Sequence, residues 1–164
     1  MKPIELKEHK VAQKHLPSIP IFKSHKRKKL PEPFKRLGGK RIFSTELIDV
    51  SSDHVILMYW RDGEILTDRS FYAHLFCRLE NGSLSPLFEF HWHPSHKGFH
   101  CKTPCNNTYD YTNRMLPGAK ELSLKTDSRP DPKRAEDLSL LIMKFCRLCG
   151  ISLPNSDEES RTLW

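Results

Sequence analysis

Residues 70–93 read SFYAHLFCRLENGSLSPLFEFHWH, and this stretch decides the fold. Two aromatic-rich runs flank Asn81 and Gly82, the dipeptide most favoured in a tight hairpin turn. A two-residue turn there pairs Glu80 with Ser83 and fixes the register behind it. One face then carries Leu79 opposite Leu84, Cys77 opposite Pro86, Leu75 opposite Phe88, Ala73 opposite Phe90 and Phe71 opposite Trp92. All ten are apolar, so this face is core. The other face is half polar: Arg78 opposite Ser85, Phe76 opposite Leu87, His74 opposite Glu89 and Tyr72 opposite His91. Proline donates no ladder hydrogen bond, so the second strand should be an edge strand, at least near Pro86.

Working outward, His54 to Trp60 is almost continuously apolar, as befits a central strand. Ile42 to Val50 suits another strand, and Asp62 with Gly63 gives a hairpin turn signal. The strand at Ser70 is expected to reach back toward Ile65. Residues 93–127 show no period and read mainly as ordered loop. Asp131 is a good N-cap with Pro132 at the first helical position. A helix follows to Cys149, ended by Gly150 and Pro154, with Ala135, Leu138, Leu141, Ile142, Phe145 and Leu148 as its buried stripe. The expected fold class is α+β. An antiparallel meander of four to five strands packs on a C-terminal helix, and an extended basic N-terminal arm precedes it. The expected organisation is an arm over 1–41, a core domain over 42–154 and an acidic tail over 155–164.

Charge separates along the chain. Residues 1–41 hold 13 Lys and Arg against 3 Asp and Glu, whereas residues 42–164 hold 14 against 17. The positive excess therefore lies in the first quarter, where it steers polyanions and gains from counterion release. Lys23, Lys26, Arg27, Lys28, Lys29, Lys35, Arg36, Lys40 and Arg41 are the expected contacts to RNA or DNA. The bland reading is a solubilising tail. No apolar run of membrane-spanning length exists, and no apolar region follows the basic N-terminus. A cytoplasmic protein without membrane contact is therefore expected, and its five Cys are not read as a disulfide framework.

Chemistry concentrates at the end of the hairpin. His91, His93, His96 and His100 fall within ten residues, a density that no apolar core needs. Two imidazoles near neutrality can deprotonate a ribose 2′-hydroxyl and protonate the leaving oxygen, with Lys102 balancing phosphate charge. Glu89, facing His74, is placed to orient it. Such RNA cleavage needs no metal. His93, His96, His100 and Lys102 are expected close together at the sheet end, with Gly98 turning the chain back. The bland reading is a set of solvated loop histidines. A competing functional reading is zinc, held by Cys101, Cys105, Cys146 and Cys149 with help from His96 and His100. The competing bland reading has Cys146 and Cys149 as small core residues beside Phe145 and Leu148.

The stretch from Asp62 to Lys102 resembles the TumE-like toxins of bacterial type II toxin–antitoxin modules. The likeness is carried by Asp62–Gly63, Phe71, Tyr72, His74 and Phe76, then Asn81–Gly82, Phe88 and Phe90. It continues in the His-rich ending His93–Pro94, His96–Lys97 and His100 with Lys102. The histidine spacing is wider than that family's pairs. The resemblance implies an RNA-cleaving toxin held in check by a cognate antitoxin protein. The expected function is thus a toxin-like endoribonuclease using metal-independent His/Lys acid–base chemistry. The alternative is a non-catalytic nucleic-acid-binding protein with structural zinc.

Overall fold

A computed structural model describes residues 8–24, 34–94, 98–102 and 129–154. The decisive hairpin forms as β6 (Ser70–Arg78) and β7 (Leu84–His93). The other strands, numbered along the chain, are β1 (Lys14–His15), β2 (Lys23–Ser24), β3 (Ile42–Ser44), β4 (Ile48–Asp49), β5 (His54–Arg61), β8 (Gly98–Lys102) and β9 (Ile151–Ser152). The main sheet runs β2-β3-β5-β6-β7-β8, antiparallel throughout, with β4 also paired to β5. It is α+β as expected, with seven strands among the described residues rather than four or five. A parallel pair, β1 with β9, stands beside it.

From Phe71–Trp92 to Leu75–Phe88 the hairpin partners are those the apolar alternation predicts. Nearer the turn they are displaced by one: Phe76 faces Pro86, Cys77 faces Ser85 and Arg78 faces Leu84. Two compensating irregularities cause this. The Gly82 amide donates to the Leu79 carbonyl at 2.8 Å and the Leu79 amide to Ser83 at 2.9 Å, so the loop holds three residues, not two. Gly82 takes the left-handed φ of 79° that such a loop requires. An extra residue, Leu87, then bulges out of the ladder and restores the register. Leu87 and Phe88 both join the core, while Leu79 is 41% exposed. On its outer side β7 pairs with β8 only over Glu89–His93, so Pro86 lies on an open edge among the described residues.

Other expectations are corrected. Ile42 to Val50 is broken at 45–47, where the Thr45 hydroxyl accepts the Met58 amide at 3.0 Å. Its two halves pair with β5 one register apart, Ser44 facing Tyr59 but Ile48 facing Ile56. Residues 62–69 are not a tight turn and β6 does not extend back to Ile65. A 3-10 turn, Leu66–Asp68, occupies the loop, and Gly63 is needed because a Cβ there would sit 2.3 Å from the Asp68 Cβ. Residues 98–102, read as loop, form β8.

The C-terminal helix spans Ala135–Cys149. Asp131 does not cap it. Asp131 instead organises a preceding turn, accepting the Lys133 amide on Oδ1 at 3.0 Å, while Oδ2 receives Arg69 at 2.5 Å. The buried stripe is Leu141, Ile142, Phe145, Cys146 and Cys149, with Ala135 exposed and Leu148 only partly buried. This stripe covers one sheet face, forming the main core with Ile56, Met58, Trp60, Phe71, Ala73, Phe90 and Trp92. Gly150, at φ 66°, ends the helix.

The N-terminal segment contributes to the same core. Leu16 is buried within it. Lys14 is 1% exposed, and its ammonium donates to the carbonyls of His9, Lys10 and Ala12. These close the end of a helical turn at 8–11, where carbonyls lack intrahelical partners. Burial pushes the Lys14 pKa down, against the opposing influence of Cys149.

Candidate nucleic-acid cleft

The second sheet face was expected to be half polar, and its centre proves buried. Phe34, Leu57 and Phe76 form a small cluster there, with Leu37, Tyr59 and Leu84 against it. Phe34 comes from the 3-10 turn Phe34–Arg36, and its ring meets His74 edge-on at 4.8 Å. His74, Glu89 and His91 are each buried. Because strand residues two apart share a face, Glu89 reaches both imidazoles. Its Oε1 is paired with His91 Nε2, and its Oε2 lies 3.8 Å from His74 Nδ1. The expected His74–Glu89 pairing is present, but the closer partner of Glu89 is His91. A buried carboxylate costs several kcal/mol unless it is hydrogen-bonded or paired, and His91 is the imidazole in hydrogen-bonding contact with Glu89 here.

The aromatic row continues outward. Tyr59 and Tyr72 face each other across β5 and β6, with ring centroids 4.6 Å apart and nearly parallel. Tyr72 meets His91 edge-on at 4.7 Å and His93 at 5.0 Å, and the two imidazoles are 5.6 Å apart. His93 is only partly buried. It opens into a cleft of about 700 Å³, lined by residues that include Lys40, Arg41, Arg61, Asp62, Arg69 and Tyr72. Four cations line this cleft against two carboxylates, Asp62 and Asp68.

The carboxylates are partly spoken for. Asp62 accepts Lys133 at 3.1 Å and lies 3.6 Å from Arg69. Burial raises its pKa, but Lys133, the Gly63 amide and Arg69 together hold it below the usual carboxylate range. Arg69 is fixed further by the Gly63 carbonyl at 3.1 Å and by Asp131. Arg41 makes an exposed contact to Glu64 at 3.7 Å. Lys40 and Arg61 are exposed and carry no ion pair among the described residues. The cleft therefore keeps uncompensated positive charge beside one solvent-facing imidazole.

Among the expected catalytic residues, then, the fold unites His74, Glu89, His91 and His93, and of these four only His93 lines the cleft. The ladder sets position 100 opposite His91 and position 102 opposite Glu89, with Gly98 opposite His93. Lys102 is thus carried along the sheet, away from His93 at its end. Gly98 has φ 66°, consistent with the expected reversal. His96 lies outside the described residues. Of the expected polyanion contacts, Lys40 and Arg41 line the cleft, and Lys35 is exposed on the same 3-10 turn that carries Arg36. Lys23 lines a separate groove of about 240 Å³ with Ile19 and Ile21. Lys26, Arg27, Lys28 and Lys29 lie outside the described residues.

For zinc, Cys101, Cys146 and Cys149 are all buried in the main core. Burial pushes the Cys146 thiol up to about 12 and raises the Cys149 thiol well above its ordinary value, with Cys146 adding to the effect on Cys149. A thiol held protonated is a poor metal ligand. Among the described residues no group of three or more His, Cys, Asp or Glu is arranged to hold a metal, and Cys105 lies outside them. No helix among the described residues is long and apolar enough to cross a membrane.

Arg61, Arg69 and Tyr72 are not among the site residues that the sequence suggests. The two arginines are eight positions apart and look isolated in the sequence. Only the pairing of Arg61 with Ser70 brings them together beside Tyr72 and His93. No family model, curated protein or solved structure matches the chain.

Proposed function

We propose that this protein binds a nucleic acid through the cleft at the end of the sheet. The observation that supports this most is the lining itself: Lys40, Arg41, Arg61 and Arg69 around Tyr72 and His93. Phosphates taken up there release counterions, and two of the four cations have no carboxylate to leave among the described residues. The basic cluster Lys26–Lys29 adds long-range attraction to the same polyanion.

A narrower reading, RNA cleavage, is favoured by one feature. Glu89, His91 and His93 form a row running from the buried face to the cleft. Such a row lets a buried carboxylate influence a solvent-facing imidazole, which would act as the acid or base on a ribose 2′-hydroxyl. A second proton-transfer group is then required, and His96 or His100 would supply it. On this reading the protein acts as an endoribonuclease of the TumE-like toxin kind, with an antitoxin as partner.

The test uses a fluorescein-labelled 12-nucleotide RNA with wild-type protein and with the Lys40→Gln/Arg41→Gln/Arg61→Gln variant. Binding by anisotropy should weaken at least tenfold in the variant. Equal affinity would overturn the cleft reading. Product analysis on the same samples separates cleavage from binding. Loss of cleavage by two orders of magnitude in a folded His93→Ala protein supports the acid–base role. Binding without any cleavage leaves the protein a binder.

A further inference from the structure

We infer that the cleft takes a single-stranded polynucleotide, with an unpaired base seated in the corner between the Tyr72 and His93 rings. This rests on the nucleic-acid reading above and specifies its substrate class. Tyr72 and His93 are both partly exposed and both line the cleft. Their ring centroids are 5.0 Å apart and their planes are 84° from parallel. A planar base laid against one ring therefore meets the other edge-on, and both contacts are favourable for aromatic groups. The corner is held in place from behind. Tyr59 stacks on Tyr72 at 4.6 Å, and His91, itself buried, contacts both rings. Such a preformed corner loses little conformational freedom on binding.

The cations sit where the backbone of such a strand would run. Lys40, Arg41, Arg61 and Arg69 line the same cleft as the two rings, with Arg61 on the strand next to the one that carries Tyr72. A charged groove interleaved with aromatic rings is the recurring solution for single strands, whose bases are free to leave the stack. A duplex keeps its base faces stacked and offers these rings nothing but its phosphates. The cleft volume of about 700 Å³ suits one or two nucleotides rather than a long bound segment.

The experiment compares five probes of equal phosphate number on the wild-type full chain by competition anisotropy. These are single-stranded RNA, single-stranded DNA, an abasic oligonucleotide, a blunt duplex and inorganic polyphosphate. Base-bearing single strands should bind on the order of tenfold tighter than the abasic strand for one stacked base. RNA and DNA arms then report whether a 2′-hydroxyl is also read. Tyr72→Leu, which keeps bulk but loses the ring, should bind base-bearing and abasic strands alike. If wild-type protein binds abasic strand, polyphosphate and base-bearing strand equally, the base-seating corner is wrong and the polyanion reading stands. If it binds none of the five, both fall. The comparison on wild-type protein decides the matter even if Tyr72→Leu does not fold.

Discussion

His54 gives the protein a specific acid sensitivity that its charge balance alone would not predict. It opens β5, is 4% exposed, and lies under the N-terminal segment. The Ser51 hydroxyl accepts the amides of Asp53 and His54, so it donates its own proton to His54 Nδ1 at 2.8 Å. The remaining His54 proton then sits on Nε2, directed at His9 Nδ1 3.0 Å away. This arrangement accepts only a neutral imidazole. Burial, then the charge of Lys14, then His9 lower the His54 pKa to about 4, with Asp53 opposing. The unfolded chain protonates His54 at about 6.5. The neutral folded form therefore contributes its full stability above that value and loses it as the pH falls through about 4. Linkage puts the loss near 2 kcal/mol between pH 7 and pH 5, and about 3 kcal/mol by pH 4. Urea unfolding followed by Trp60 and Trp92 fluorescence, at pH 7 and pH 5, measures it in wild type and in His54→Gln. Carboxylates titrate in both proteins, so the difference between them isolates the imidazole. Wild type should lose about 2 kcal/mol more than the variant over this interval. Identical pH dependence in the two proteins would refute the argument.

Other perturbations probe the scaffold. Gly150→Ala places a Cβ 2.2 Å from the Lys10 carbonyl at a left-handed φ, and should cost at least about 1–2 kcal/mol by thermal unfolding. Phe90→Ala, wholly buried between Phe71 and Phe145, should cost about 3–5 kcal/mol in the same measurement. Lys14→Met strands three carbonyls at the N-terminal turn and should cost about 1–3 kcal/mol, seen as faster proteolysis near residue 10.

The hairpin core was legible because Phe71, Ala73, Leu75, Phe88, Phe90 and Trp92 alternate with polar neighbours, and period-two alternation has one physical meaning. The bulge at Leu87 was not legible. Leu87 and Phe88 are both apolar, so a register carrying either one inward looks equally satisfied. The helix stripe was read as far as its large residues. Cys146 and Cys149 complete it, which is the ordinary use of a small apolar thiol. The burial of His74, Glu89 and His91 has no local signal. Their cover includes Phe34, from a distant segment that the sequence marks only as basic and proline-rich. The cleft is legible in part: Lys40, Arg41 and His93 stand out by composition, whereas Arg61 and Arg69 gain meaning only from the β5–β6 pairing.

Photo-crosslinking a 4-thiouridine-bearing single-stranded RNA to the full chain, followed by peptide mass spectrometry, tests the central claim most directly. The account predicts adducts on Tyr72 or His93, with protection of Lys40 and Arg61 from acylating and dicarbonyl reagents respectively. Adducts confined to residues 23–36, with Tyr72, His93, Lys40 and Arg61 all unaffected, would contradict it.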